Sequence, residues 1–260
     1  MRILFIGDIV GKPGRLAVKK VLPKLKKTKK IDLVIANVEN LAHGKGLTQK
    51  TWAEIQAAGV GFGTGGNHTF SKPDANVLLA DPSSNLIRPA NYTGDLPGTG
   101  AKVIEIKKAK ILVLNLGGQA FMIQDATSPF AMADLLLTKF KTHITIVDMH
   151  GEATSEKVAL GWHLAGRVTA VIGTHTHVPT ADTKILPGPT AYVTDAGMCG
   201  LRDGIIGVDR EVIMPRFLAG EKIPHQIAEH GAVVFNSVLI ETNAKNQAVK
   251  ISRLDKEFEV

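Results

Sequence analysis

The sequence predicts a mixed α/β fold in which two packed sheets are flanked by helices. Apolar strand-like runs alternate with helical segments, which calls for parallel strands joined by crossovers. Polar turns such as KKAK, PGPT and NAKNQ separate pairs of β-rich runs and call for antiparallel hairpins. The apolar share is 44%, spread in short runs, enough for a large core. Hairpins and crossovers in one chain exclude a purely parallel doubly wound sheet. The chain has 260 residues and contains no linker, repeat or low-complexity segment, so one domain over 1–260 is expected.

Residues 2–7 (RILFIG) and 32–38 (DLVIANV) are compact apolar runs rich in β-branched residues and read as strands. Between them, 15–25 reads as a helix that Pro23 kinks or ends early. Residues 48–58 form a second helix, with Thr51 and Glu54 at capping-box spacing and Gly59 at the left-handed position that follows a helix. Residues 60–62 lead into the glycine-rich GTGGNH, where small residues let the backbone turn sharply, and 74–80 form a short helix. Hairpins are expected at 103–106 with 111–116, at 184–186 with 191–193, and at 232–241 with 249–254. Helices at 130–140 and 155–164 alternate with strands at 143–147 and 169–172, with Ser155 as the cap of the second helix.

Bulk properties narrow the function. No apolar run is long enough to cross a bilayer, and MRILFIGD reads as a first core strand rather than a signal peptide. The single cysteine, Cys199, excludes an internal disulfide and a multi-thiolate zinc site, and fits a cytoplasmic protein. Net charge is +7, with Lys19, Lys20, Lys24, Lys26, Lys27, Lys29 and Lys30 close together. No stacking aromatic motif interleaves them, so a solvated helix face is preferred and nucleic acid is the weaker partner. Small phosphorylated molecules suit a basic chain better, no membrane partner is expected, and a homo-oligomer stays open.

Chemistry gathers at strand ends. Asp8 follows the first strand, Glu39 and Asn40 the second, Asn67 and His68 the third, His150 the strand ending at Val147, and His175-x-His177 the strand ending at Ile172. Loops at the carboxyl ends of neighbouring parallel strands converge on one crevice, so these groups can meet. Singly, each has a structural explanation: Asp8 as a helix cap, Asn40 in an Asx-turn, Asn67 in a left-handed turn. His175 and His177 are stronger, because alternate residues of an extended segment share a face. Jointly they offer carboxylate, amide oxygen and imidazole, a donor set for first-row metals without thiolate. Two divalent ions against two carboxylates leave positive charge that attracts a phosphate. Ions roughly 3.5–4 Å apart clamp phosphoryl oxygens and activate a bridging hydroxide for in-line attack. His43, His143, His163, His225 and His230 lack such context.

At GDIVG, NVEN, GGNHTF, DMHGE and GTHTHV the chain resembles the calcineurin-like metallophosphoesterases, most closely their bacterial YmdB-like branch, and the likeness runs nearly end to end. The resemblance implies a four-layered α/β/β/α sandwich with two metal ions, iron or manganese or both, with zinc as an alternative. It implies that Asp8, Glu39, Asn40 and His177 hold one ion, that Glu39, Asn67, His150 and His175 hold the other, and that His68 protonates the leaving group of a 2′,3′-cyclic nucleotide. The superfamily's D-x-H motif has Val10 in place of its histidine, which Asn40 would replace, and Glu39 stands where a bridging aspartate is usual. Three rivals stand beside this reading: a nucleotide-binding module, for which G-x-G-x-x-G and the P-loop pattern are both missing; a metal hydrolase of amide bonds; and a regulatory metal-binding protein that acts by binding partners with little turnover.

Overall fold

The computed structural model describes residues 1–220, 223, 226–228 and 231–259. His225 and His230 lie outside them. In chain order the strands are β1 (Arg2–Ile6), β2 (Asp8–Ile9), β3 (Leu33–Asn37), β4 (Phe62–Thr64), β5 (Ala101–Ile106), β6 (Ala109–Gly117), β7 (Ile144–His150) and β8 (Ala170–Thr174). They continue as β9 (Lys184–Leu186), β10 (Thr190–Val193), β11 (Met198–Leu201), β12 (Ala232–Phe235), β13 (Ser237–Thr242), β14 (Ala248–Arg253) and β15 (Lys256–Glu259). The helices are α1 (Gly11–Thr28), α2 (Gln49–Ala57), α3 (Asp74–Ala80), α4 (Pro129–Lys139), α5 (Thr154–Leu164) and α6 (Arg210–Ala219), with a short 3-10 turn at Thr69–Ser71.

Two large mixed sheets stack face to face, one in the order β14-β13-β1-β3-β4 and the other β5-β6-β7-β8-β10-β9. Strand alternation explains the layering. In β1, Ile3 and Phe5 point into the core between the sheets, while Leu4 and Ile6 point outward to the core under α1 and α2. In β7, Ile144 and Ile146 face the inter-sheet core, while Val147 and Met149 face the core under α4 and α5. Both faces of these strands are therefore apolar, and helices cover both outer sides. That is the four-layered α/β/β/α sandwich anticipated above.

The three expected hairpins form, as β5–β6, β9–β10 and β13–β14. Other details differ. The single strand expected over 232–241 breaks at Asn236, so β12 joins a third sheet, β15-β12-β11-β2, while β13 joins the first large sheet. Pro23 does not end α1, which continues to Thr28 because Ala17, Val18, Leu22 and Leu25 pack against the sheet and hold the helix through the missing hydrogen bond. The capping box of α2 is Thr48 with Thr51, not Thr51 with Glu54: Thr48 Oγ1 accepts from the Thr51 N–H and Thr51 Oγ1 from the Thr48 N–H. Glu54 is drawn instead to Arg15 Nε (2.7 Å) and Lys19 Nζ (3.2 Å). Ser155 lies inside α5, whose N-cap position is Ala153 without a side-chain cap. Gly59 has φ +112°, the positive value expected after α2. Among the described residues no helix is long and apolar enough to cross a membrane.

Thr48→Ala removes one half of the α2 capping box, and the urea unfolding midpoint should fall by the equivalent of about 1 kcal/mol.

Candidate metal centre

The site is the polar end of the inter-sheet core. Along β3 the inward positions run Leu33, Ile35, Asn37, and along β7 they run Ile144, Ile146, Asp148, His150. On β8, Ala170 and Ile172 are followed two residues later by Thr174, and on β6, Ile111 and Val113 by Asn115. At the carboxyl ends of these parallel strands the same period-two face turns from apolar to polar. Asn37, Asn115, Asp148, His150 and Thr174 are all fully buried there.

The polar groups lock one another. Asn37 Nδ2 reaches Gly65 O (3.1 Å), His150 Nδ1 (3.2 Å) and Asp148 Oδ2 (3.3 Å), and Thr174 Oγ1 donates to Asp148 Oδ1 (2.6 Å). His150 Nδ1 lies 3.0 Å from Thr174 Oγ1, and the tautomer with its proton on Nδ1 donates to that hydroxyl and leaves the lone pair on Nε2. Nε2 then faces Asn67 Oδ1 at 2.9 Å, Glu39 Oε1 at 3.2 Å and His175 Nδ1 at 3.2 Å.

Every residue proposed from the sequence lies in this neighbourhood. Asn40 Nδ2 sits 3.3 Å from His177 Nε2 and 3.4 Å from Glu39 Oε1. His177 Nε2 is 3.7 Å from Asp8 Oδ1, and Asp8 Oδ2 accepts from the His175 backbone N–H at 3.1 Å. His68 donates its backbone N–H to Glu39 Oε2 at 2.7 Å, and its ring Nε2 lies 3.4 Å from Asn67 Nδ2. Asp8 Oδ1 and Asn40 Oδ1 are buried without a hydrogen-bond partner among the described residues. Gly66 is required beside them, since a Cβ there would overlap His150 Nε2 and Glu39 Oε2. His43, His143 and His163 are exposed, as expected of residues outside the site.

Burial works against charge throughout. Desolvation raises the carboxyls of Asp8 and Glu39 above the usual range, opposed for Asp8 by His177 and for Glu39 by His68. It raises Asp148 to about 7 despite the hydroxyl donors of Thr174 and Thr64. Desolvation lowers His150 and His175 to about 4 each, and lowers His68 against the pull of Glu39. Neutral imidazoles beside buried, unpartnered oxygens form a donor set suited to a cation. Among the described residues, ligand atoms of Glu39, His150 and His175 all lie within 4.8 Å of one another. The residues present therefore fit divalent ions.

The H-x-H turn is strained and held. His175 and His177 have φ of +98° and +65°, rare for residues with a side chain. Thr176, between them, donates its N–H (3.2 Å) and Oγ1 hydrogen (2.7 Å) to Asp195 Oδ2. The same Oδ2 meets Lys157 Nζ of α5 at 2.8 Å, in an ion pair whose side chains are 1% and 0% exposed. The Ile206 carbonyl accepts from His177 Nδ1 at 2.8 Å.

A family model described as YmdB-like protein matches residues 4–254. The chain belongs to the YmdB-like family. It is 45% identical to a Bacillus subtilis (strain 168) protein named 2′,3′-cyclic-nucleotide 2′-phosphodiesterase, over 98% of this chain and 96% of that one. A solved structure titled a novel phosphatase, from Mycoplasma pneumoniae, superposes with TM-score 0.94 at 37% identity, over 100% of this chain and 94% of that one. A hypothetical protein from Thermus thermophilus gives TM-score 0.93 at 40% identity, over 99% of both chains. A 5′-nucleotidase precursor from the same organism shares the fold alone, with TM-score 0.58 at 10% identity over 100% of this chain and 55% of that one. The YmdB-like chain thus has the metallophosphoesterase fold.

Asn37, Asn115, Asp148, Thr174, Lys157 and Asp195 also belong to this neighbourhood and carried no expectation from the sequence. The first four continue the period-two pattern of their strands, which was there to be followed. Lys157 has no local signal, because its partner is 38 positions away.

Lys157→Met leaves the Asp195 carboxylate buried without its cation, and chemical denaturation should show a loss of about 3–5 kcal/mol.

Proposed function

We propose that this chain is a metal-dependent phosphodiesterase in which Asp8, Glu39, Asn40 and His177 hold one divalent ion, and Glu39, Asn67, His150 and His175 hold a second. The observation that carries it is the meeting of unshared lone pairs at one buried point. The contacts divide along the same lines. His150 Nε2 gathers Asn67 Oδ1, Glu39 Oε1 and His175 Nδ1 at 2.9, 3.2 and 3.2 Å, while His177 Nε2 has Asp8 Oδ1 at 3.7 Å and the Asn40 amide Nδ2 at 3.3 Å, with Asn40 Oδ1 left buried and unpartnered among the described residues. Glu39 Oε1 lies between the two groups, 3.2 Å from His150 Nε2 and accepting from Asn40 Nδ2 at 3.4 Å, which supports its bridging role.

When bound, such ions supply positive charge for the phosphoryl oxygens and an activated water as nucleophile. An oxygen and nitrogen donor set without thiolate suits iron or manganese, with zinc as the alternative. The chain's own work is positioning. Glu39 anchors the backbone of His68 and so sets its half-buried ring beside Asn67. From there His68 donates a proton to the departing sugar oxygen, and the phosphate anion next to it favours the imidazolium that burial alone disfavours. The Bacillus subtilis relative's name supports a small nucleotide with a 2′,3′-cyclic phosphate as the substrate. We take residues 1–260 to act as one domain, and the buried, unpaired Cys199 suits the cytoplasm.

His68→Ala should slow a cyclic nucleotide by about 10²–10⁴-fold, and a nitrophenyl diester, whose leaving group needs no proton, far less. Equal losses on the two substrates would remove His68 from the acid role. Glu39→Ala takes a ligand from both ions, so elemental analysis should find metal content depleted at both positions, and two retained ions would overturn the bridge.

A further inference from the structure

We infer that Asp195 is a positioning residue that holds three of the ligands, Asp8, His175 and His177, through their backbone, an inference that rests on the metal-centre proposal above. Its side chain is fully buried, two residues beyond β10. Oδ2 accepts from the Thr176 N–H at 3.2 Å, the Thr176 hydroxyl at 2.7 Å and Lys157 Nζ at 2.8 Å, while Oδ1 accepts from the Gly197 N–H at 2.8 Å. Thr176 is the middle residue of H-x-H, so the first two bonds fix the chain between His175 and His177. The Gly197 carbonyl in turn accepts from the Asp8 N–H at 3.0 Å, which extends the hold to the third ligand. Both carboxylate oxygens are taken up by protein donors, so Asp195 is not itself a ligand in this geometry.

The backbone of the same residue secures the far end of the turn. The Asp195 N–H donates to Thr180 Oγ1 at 2.9 Å, and its carbonyl accepts from the Thr180 N–H at 3.2 Å. Residues 176–180 are therefore pinned to Asp195 at both ends. The turn needs such a hold, because His175 and His177 lie at φ +98° and +65°, a region that their own conformational preference does not favour. A buried ion pair is a poor device for stability alone, since apolar side chains of similar volume serve as well or better. What Lys157 and Asp195 provide that apolar groups do not is a fixed acceptor for the Thr176 N–H and hydroxyl. His175 belongs to the ligand set of one ion, and His177 and Asp8 to that of the other, so this single support serves both ions.

The test measures Mn²⁺ binding to metal-stripped protein by calorimetry, with folding checked by circular dichroism. Thr176→Val keeps the shape of the side chain but loses the hydroxyl bond, and should weaken both Mn²⁺ sites about tenfold. Thr176→Ser keeps both bonds and should stay within about threefold of wild type. The double variant Asp195→Leu with Lys157→Met leaves no lone charge buried yet gives Thr176 no acceptor, and should weaken both sites about 10–100-fold. Thr48→Ala, which loosens the start of α2 and touches none of these groups, should bind Mn²⁺ as wild type does. Equal weakening in Thr48→Ala reduces the effect to lost stability and overturns the positioning role. Wild-type affinity in Thr176→Val, or weakening confined to one ion, overturns the shared hold on the two histidines. Wild-type protein that takes up no Mn²⁺ overturns the metal-centre proposal itself.

Discussion

The structure is organised around a local arrangement that is unfavourable on its own: lone pairs brought face to face at the polar end of the inter-sheet core. His150 Nε2 looks at two oxygens and a nitrogen within 3.2 Å, and Asp8 and Asn40 each bury an oxygen that receives nothing from the described residues. Side chains free to move would separate or recruit water. They stay because each is attached to the end of a strand whose other residues are committed to a close-packed core. The two large sheets are thus the instrument that holds mutually repelling acceptors together until something positive joins them.

Beyond the ligands, control of the site converges on the first turn of α5 and the residue pair before it. The segment GEATSEK sends Glu152 to the ring of His175, Glu156 to the loop after β6, and Lys157 to the Asp195 that holds Thr176. The start of α5 and the residues before it thereby contact the loop after β6, Asp195 and the H-x-H turn. The H-x-H turn receives two of these contacts, which suits a turn whose two histidines both sit at positive φ.

Much of this was legible in the sequence because two signals were local. Alternation within short apolar runs gave the layers, and potential ligands at five strand ends gave the neighbourhood of the site. GEATSEK reads in the sequence as a polar loop with Ser155 as a helix cap, whereas its working residues are its acids and its lysine. The third sheet was invisible because β2 has two residues and β11 four, lengths at which no periodicity exists. Ala232 to Glu241 looked continuous because hydrophobic character does not change where β12 gives way to β13; only the hydrogen-bond partners do. The supports of the ligands, Asn37, Asp148 and Thr174, were hidden by being uncharged or unremarkable in type, although their spacing marked them.

The break at Asn236 has a twin at Gly7, between β1 and β2, and the two meet: Gly7 donates its N–H to the Asn236 carbonyl at 3.2 Å. A side chain at Gly7 would collide with the Gly197 carbonyl, so the crossing admits nothing larger. Two chain segments thus step together from the main sheet into the small one, and Asp8 stands on the far side of that step. The Asp8 carboxylate is therefore carried by the small sheet, whereas Glu39, Asn67, His150 and His175 stand at the ends of strands of the two large ones.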